Sequence, residues 1–238
     1  MKQNDEISTE GFTIINNVYT DYEIEKLISL IENITESKTD TATFRKFQDL
    51  FAIRQFHKEI PETLPFIFNK KLLEMIESTF GKGYFITKSI YFDKPEKSNW
   101  FVAYHQDLTI SVDKKIEIED FENWTTKQNQ FAVQPPTAIL EKNFTIRIHL
   151  DKTTKENGAL KVINNSHSKG ILRVENLETE KETICEVEKG GIMIMKPLLL
   201  HASNKTINNE RRRVIHIEFS NQELPYGLEW SEKTIPQN

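Results

Sequence analysis

The 238-residue chain contains six histidines, and two of them stand where they could do chemistry. In "FVAYHQDLTISV", residues 101–112, His105 and Asp107 are one residue apart within runs that otherwise favour β structure. Side chains at i and i+2 of a strand leave the same face, whereas on a helix they diverge by about 200°. The two can therefore grip one ion if the segment is extended, and the same parity puts Asn99, Phe101 and Ala103 on the ligand face. On its own the triplet equally describes a surface ion pair.

His201 closes the apolar stretch "IMIMKPLLLHAS", where a histidine is either a hydrogen-bonded core residue or a third ligand brought in by closure of a sheet. The single cysteine, Cys185, excludes a cysteine-built zinc site, so any metal must be held by His, Asp and Glu. Two imidazoles and one carboxylate on one face of an octahedron leave positions open, which non-haem Fe(II) oxygenases fill with a bidentate 2-oxo acid and dioxygen. The far carboxylate of such an acid needs a fixed cation. Arginine suits this because its planar fork binds carboxylate bidentately and stays charged when buried. "NNERRRVIHIEFS" offers Arg211, Arg212 and Arg213 on alternating faces of one strand, with Arg212 on the face of Val214 and His216. Parity does not say which face is inside, and a basic solvated edge would account for two of the three. In "FTIRIHL", Thr145, Arg147 and His149 alternate with Phe144, Ile146 and Ile148. That gives a polar face to a strand expected to be central, which is costly unless it lines a wet site.

These side chains need a frame. "GFTIINNVYTDYEIEKLISLIENI" begins with a short β-branched run, and Thr20 with Glu23 three residues on forms a capping box. Ile24, Leu27, Ile28 and Ile31 then recur at helical spacing, predicting a helix over about residues 21 to 34. A second helix is expected in "FIFNKKLLEMIESTFGKG", ending near Gly81, and "TDTATFRKFQDLFAIRQF" between them reads as a loop followed by a short strand. From residue 84 the chain becomes short β-type runs: "YFITKSIYF", "NWFVAYHQDLTIS", "FTIRIHL", "ALKVI", "GGIMIM", "PLLLHAS" and "RRRVIHIEFS". The pattern predicts a mostly β, α+β fold, an antiparallel sandwich or barrel with helices on one outer face. No linker or repeat divides residues 1–238, so one domain is expected. Residues 112–143, rich in charges and aromatics and carrying Pro135-Pro136, are expected to form a lid or insertion. Trp124 and Gln134 within it are candidate substrate contacts.

With 37% hydrophobic and 28% charged residues, the chain can bury a sizeable core. It has no apolar run of about 18 residues, and "MKQNDEISTE" lacks the features of a secretory signal. The net charge of −5 gives no broad attraction for nucleic acid or anionic lipid. The expectation is a soluble, cytoplasmic protein with a small-molecule substrate and neither nucleic-acid nor membrane partners.

Taken in order, His105-x-Asp107, "NGALKVINNSHSKG", "LLLHASNKT" and "RRRVIHIEF" resemble the phytanoyl-CoA dioxygenase superfamily of Fe(II)/2-oxoglutarate oxygenases, from about Gly11 through "LPYGLEW". The resemblance implies a double-stranded β-helix core of the jelly-roll or cupin type, Fe(II) as cofactor, and 2-oxoglutarate and O2 as cosubstrates. It makes His105, Asp107 and His201 the iron ligands, Arg212 the anchor of the distal 2-oxoglutarate carboxylate and Ser203 its hydroxyl partner. Arg147 falls where some relatives contact 2-oxoglutarate, and would hold the cosubstrate, a substrate carboxylate or an internal acid. Asn99 is a further cofactor contact on the parity argument alone. Asn164 and Asn165 stand where the family has Pro-Gly, a departure that touches no ligand, and His167 and His149 read as structural.

The implied activity is hydroxylation of an aliphatic carbon with release of succinate and CO2. A compact chain without an evident CoA-binding segment favours a small molecule, an amino acid or secondary metabolite, over an acyl-CoA. Asp107 disfavours a halogenase, which needs a small residue there to admit halide. A cupin-like metalloenzyme that does not use 2-oxoglutarate and a catalytically silent sensor are the other classes compatible with these residues.

Overall fold

The computed structural model describes residues 2–35, 44–47, 50–96, 100–127, 130–173 and 181–237. Along the chain run α1 (Lys2–Glu10), β1 (Phe12–Ile15), α2 (Asp21–Thr35), β2 (Phe44–Phe47), β3 (Leu50–Arg54), the one-turn helices α3 (Phe56–Glu59) and α4 (Leu64–Ile67), and α5 (Lys70–Phe80). There follow β4 (Phe85–Lys94), β5 (Val102–His105), β6 (Ile110–Val112), β7 (Glu122–Lys127), β8 (Gln130–Gln134), α6 (Thr137–Lys142), β9 (Phe144–His149), β10 (Leu160–Ile163), β11 (Glu182–Cys185), β12 (Ile192–Met195), β13 (His201–Ser203) and β14 (Arg212–Ser220).

Local chemistry sets the helix ends. Thr20 N–H donates to Glu23 Oε2 at 2.7 Å and Glu23 N–H to Thr20 Oγ1 at 3.3 Å, the reciprocal capping box that starts α2. Asn69 caps α5 by accepting from Leu72 N–H at 2.9 Å, and Gly81, at φ 92°, takes the left-handed turn that ends it. The second helix therefore begins later than its apolar pattern suggested, because Phe68 breaks the turn between α4 and α5. Helix α1 was not foreseen. Its sequence, "KQNDEISTE", has little apolar periodicity, and Ile7 is its one buried residue among those described.

The strands form a seven-stranded sheet in the order β1-β12-β9-β14-β4-β3-β2 and a four-stranded sheet in the order β11-β10-β13-β5. Every pairing among these described strands is antiparallel. The two sheets enclose a common interior, the jelly-roll arrangement the sequence led us to expect, with helices on the outer face of the larger sheet. Strand alternation decides what goes where. Ile146, Ile148, Ile192, Ile194, Ile215 and Ile217 point outward into a core shared with Ile24, Leu27, Ile31, Leu72 and Ile76 of the helices. Their neighbours Met193 and Met195 point inward and pack with Leu160, Val162 and Cys185 to fill part of the space between the sheets.

Residues 112–143 are more ordered than a long loop. Their described part builds a third sheet, β6-β8-β7, followed by α6. Val112, Phe121, Val133 and Leu140 bury a separate core with Phe85, Leu224, Leu228 and Trp230. Apolar residues scattered among charges concealed this sheet, since few of them alternate cleanly.

The C-terminal segment is tied beneath β4. Thr234 bridges Ile86, and Trp230 bridges Val112. Glu232 Oε2 accepts from Ser89 N–H at 2.9 Å and from Ser89 Oγ at 3.0 Å, while His57 Nδ1 lies 2.7 Å from that hydroxyl. Burial raises the Glu232 carboxyl to about 7 and lowers His57 to about 4. A carboxyl raised above its ordinary value stabilises the fold while protonated, and that contribution is lost as pH rises through the folded value. Measured by urea unfolding at pH 5 and pH 8, the stability of wild type relative to Glu232→Gln is expected to fall by about 3 kcal/mol across that window. A pH-independent difference would show that Glu232 does not titrate there.

Candidate functional site

The site begins with a strand pairing. In the antiparallel ladder of β5 and β13, His105 lies opposite His201, and their ring centroids are 4.2 Å apart. Just beyond the end of β5 the chain turns, and Asp107 N–H donates to Pro197 O at 2.9 Å. Gln106 holds this turn: its amide donates to Leu198 O at 2.6 Å and Gly170 O at 2.8 Å, and its carbonyl accepts from Leu172 N–H at 2.8 Å. The Asp107 carboxylate is thereby set between the imidazoles, with Oδ1 4.0 Å from His105 Nε2 and Oδ2 3.9 Å from His201 Nε2. One ligand atom from each of the three lies within 4.8 Å of the others.

The ring orientations fit a metal. His105 Nδ1 and His201 Nδ1 each lie 2.9 Å from the carbonyl two residues earlier, Ala103 O and Leu199 O. Their Nδ1–H groups donate there, which leaves both Nε2 lone pairs aimed at Asp107. Burial lowers His201 to about 4, so it stays neutral and able to ligate. Burial would raise Asp107, but His201, His216, Lys88 and His105 outweigh it and hold the carboxyl down at about 2. Asp107 Oδ2 is buried and has no hydrogen-bond partner. An anionic oxygen buried without a partner is costly until a cation completes it.

The parity expectation for β5 fails. His201 pairs with His105 but Ser203 pairs with Val102, so two steps on β13 match three on β5. A bulge of this kind reverses which residues point inward. Trp100 and Val102 line the cavity with His105 and Asp107, whereas Phe101 is 60% exposed and Ala103 is exposed too. Asn99 lies outside the described residues.

The cavity between the sheets has a volume of about 200 Å³. Its smaller-sheet wall carries the three candidate ligands, Ser203 and Leu160. Its larger-sheet wall carries Arg147, Arg212, His216, Glu218, Lys88, Ile90 and Phe92. Of the three consecutive arginines only Arg212 turns inward. Arg211 Nε donates to Asp93 at 2.8 Å, and Arg213 forms a bidentate pair with Asp151 at 2.9 and 2.8 Å and reaches Glu32 of α2 at 2.9 Å. Arg212 has no such acid among the described residues. Its Nε and Nη1 are buried without partners, and burial followed by Arg147 brings it down to about 9. Lys94, opposite Arg212 on β4, donates to Asn204 O, and burial with the nearby Arg212 brings it down to about 7.

Arg147 also faces the cavity, which explains the polar face of β9. No acid lies within ion-pair distance of it among the described residues, and the Asp107 carboxylate acts on it only through space. Its Nη1 donates to His216 Nδ1 at 3.0 Å, and its Nε is buried without a partner. An ordinary hydrogen bond contributes about 1 kcal/mol, against about 3 to 5 kcal/mol for a buried charge left without its counterpart. His216 alone therefore does not account for Arg147. His216 in turn approaches Glu218 Oε1 at 3.2 Å, and Lys88 Nζ donates to the same oxygen at 2.7 Å.

Lys88, Glu218, His216, Lys94 and Gln106 were not singled out from the sequence. A signal was present for two: Lys88 in "FITKSIYF" and Glu218 in "VIHIEF" are charges within strands rich in apolar residues. Trp124 and Gln134 are not in the cavity. Trp124 packs against the core of the third sheet, and Gln134 accepts from Asn123 Nδ2 at 3.0 Å. His149 Nδ1 lies 2.7 Å from Thr153 Oγ1 and His167 Nε2 lies 3.2 Å from Ser8 O, and neither lines the cavity.

A jelly roll whose interior holds two histidines and one aspartate around a common point, with an unpaired arginine on the facing wall, defines the class of mononuclear non-haem metal oxygenases of this fold. The chain belongs to the phytanoyl-CoA dioxygenase family, whose pattern it matches over residues 7–214. No curated protein sequence matches it significantly. Among solved structures it is similar to apo EctD from S. alaskensis, with TM-score 0.72 and 16% identity over 99% of this chain and 85% of that one. It is also similar to EvdO2 from Micromonospora carbonacea var. aurantiaca complexed with 2-oxoglutarate, with TM-score 0.67 and 16% identity over 92% and 89%. SnoK, a non-haem α-ketoglutarate-dependent carbocyclase from nogalamycin biosynthesis, aligns with TM-score 0.67 and 12% identity over 93% and 84%. No described helix is long and apolar enough to cross a membrane.

Because His105 is half-exposed, the fold should tolerate its loss while the metal does not. His105→Ala is expected to weaken Fe(II) binding at least about 100-fold in an anaerobic titration, with the unfolding midpoint of the metal-depleted protein little changed. Retained affinity would remove His105 from the ligand set.

Proposed function

We propose that the protein is an Fe(II)- and 2-oxoglutarate-dependent dioxygenase that hydroxylates an aliphatic carbon of a small molecule. The observation that carries this reading is the shared cavity: Asp107 Oδ2, an unpaired anionic acceptor, and Arg212, an unpaired cationic donor, face the same space from opposite walls. A metal at the first and a dicarboxylate reaching the second would satisfy both. Family membership and the relatives named with 2-oxoglutarate support the choice of that keto acid.

In this reading His105, Asp107 and His201 hold iron, and their backbone-anchored rings and the Gln106-braced turn keep the three donors in place. Iron with 2-oxoglutarate and O2 supplies the oxidising chemistry, in which the keto acid becomes succinate and CO2 and one oxygen atom enters a C–H bond. Arg212 binds the distal carboxylate, with Ser203 across the cavity as hydroxyl partner and Lys94 adding a second cation behind it. Ile90, Phe92, Val102 and Leu160 keep water from the reacting centre. No side chain is needed as a proton donor or acceptor. The volume of the cavity, below the roughly 300 Å³ at which ordinary ligand pockets begin, favours a compact substrate over a CoA thioester.

The test is succinate formation from 2-oxoglutarate under Fe(II) and air, with a metabolite panel screened by mass spectrometry for products heavier by one oxygen atom. Arg212→Met is expected to raise the KM for 2-oxoglutarate about 100-fold while Fe(II) affinity stays near wild type. Absence of succinate from the wild-type enzyme across the panel would refute the proposal.

A further inference from the structure

We propose that Arg147 binds a carboxylate of the substrate, so that this site takes a compact aliphatic acid, free amino acids included. The inference rests on the function proposed above and specifies its substrate class. It begins with a count of anions. A 2-oxo diacid has two carboxylates, of which one would go to the metal held by His105, Asp107 and His201 and the other to Arg212. Arg147 is a second buried arginine in the same cavity, without an acid partner among the described residues and with a buried, unpartnered Nε. The cosubstrate has no carboxylate left for it.

Position supports the same division. Arg212 pairs with Lys94 across the ladder, whereas Arg147 pairs with His216, four residues further along β14. The two backbone positions lie about 13 Å apart along the strand, and the side chains come near enough for Arg147 to depress Arg212. At the level of Arg147 the wall is organised around its guanidinium. His216 Nδ1 accepts from Nη1 at 3.0 Å, so His216 Nε2–H donates to Glu218 Oε1 at 3.2 Å, and Lys88 Nζ holds that oxygen at 2.7 Å. Phe92 lies with its ring centre 5.9 Å from the guanidinium carbon. His216 and Glu218 are positioning residues in this arrangement, since they fix the plane of the fork without themselves offering a second cation.

The test uses anaerobic Fe(II)-loaded enzyme and measures binding. The visible absorption band of Fe(II)-bound 2-oxoglutarate gives the keto-acid affinity, and isothermal titration gives the affinity of free L-amino acids and straight-chain aliphatic acids, each beside its carboxamide. At least one acid is expected to bind the wild-type complex about tenfold or more tighter than its amide. Arg147→Gln should bring the acid down to the level of the amide while 2-oxoglutarate affinity stays within about threefold, and Arg147→Lys should restore part of the preference. The retained absorption band shows that the variants are folded. Equal binding of acid and amide, or binding of no acid, overturns the proposal. So does an Arg147→Gln variant that keeps its preference for the acid and loses 2-oxoglutarate, which would assign the arginine to the cosubstrate. A wild-type enzyme that shows no 2-oxoglutarate band fails the broader function instead, and the acid-against-amide comparison on the metal-loaded protein still reads Arg147 separately.

Discussion

One backbone pairing governs the site: His105 opposite His201 in the ladder between β5 and β13. The two residues are remote in sequence, and only closure of the jelly roll brings their rings together. The carboxylate of Asp107 completes the set because the chain leaves the strand immediately after His105 and is clamped by Gln106 to the segment that leads into His201. Ligand geometry is thus a property of the sheet edge and its turn. The rings are oriented by backbone carbonyls two residues away, and these move only if the strands do.

The opposite wall shows how alternation sorts charge. Along β14, Arg212, Val214, His216 and Glu218 face inward, while Arg211 and Arg213 find Asp93, Asp151 and Glu32 outside. Three adjacent arginines therefore serve two unrelated ends. The outer pair fastens α2 to the sheet through carboxylates. The inner one is left without an anion, which makes it useful to a ligand and expensive to the empty fold. Lys88 and Glu218 belong to the same inner surface but compensate each other, and they contribute shape and orientation more than net charge.

Much of this was legible in the sequence because short-range rules apply. The capping box at Thr20 and the spacing of Ile24, Leu27, Ile28 and Ile31 defined α2, and the alternation of Thr145, Arg147 and His149 with isoleucines marked an inner face of β9. The ordered motifs around His105, His201 and Arg212 identified the family. What failed depended on contacts that lie far apart in the chain. The bulge in β5 exists because β13 pairs at two places with unequal spacing, and a strand read alone cannot reveal its partner's register. The sheet within residues 112–143 takes its apolar partners from Phe85, Leu224, Leu228 and Trp230, so its own pattern looked too weak for strands. Lys88 and Glu218 carried the same signal as Arg147, a charge in an apolar strand, but Lys88 had no motif beside it and the motif around Glu218 drew notice to Arg212 alone.

Strand β14 also joins folding to chemistry residue by residue. Ile215, Ile217 and Phe219 lie in the packed layer under the helices, and the residues between them look into the cavity. Substitutions at the inward positions can recast what the cavity accepts while the hydrophobic layer keeps its shape, and substitutions at the outward ones can tune durability without altering ligand preference. Divergence of such a scaffold toward new substrates is therefore least constrained at every second residue of its central strand, where a single codon change alters the cavity lining and leaves the packed layer behind it intact.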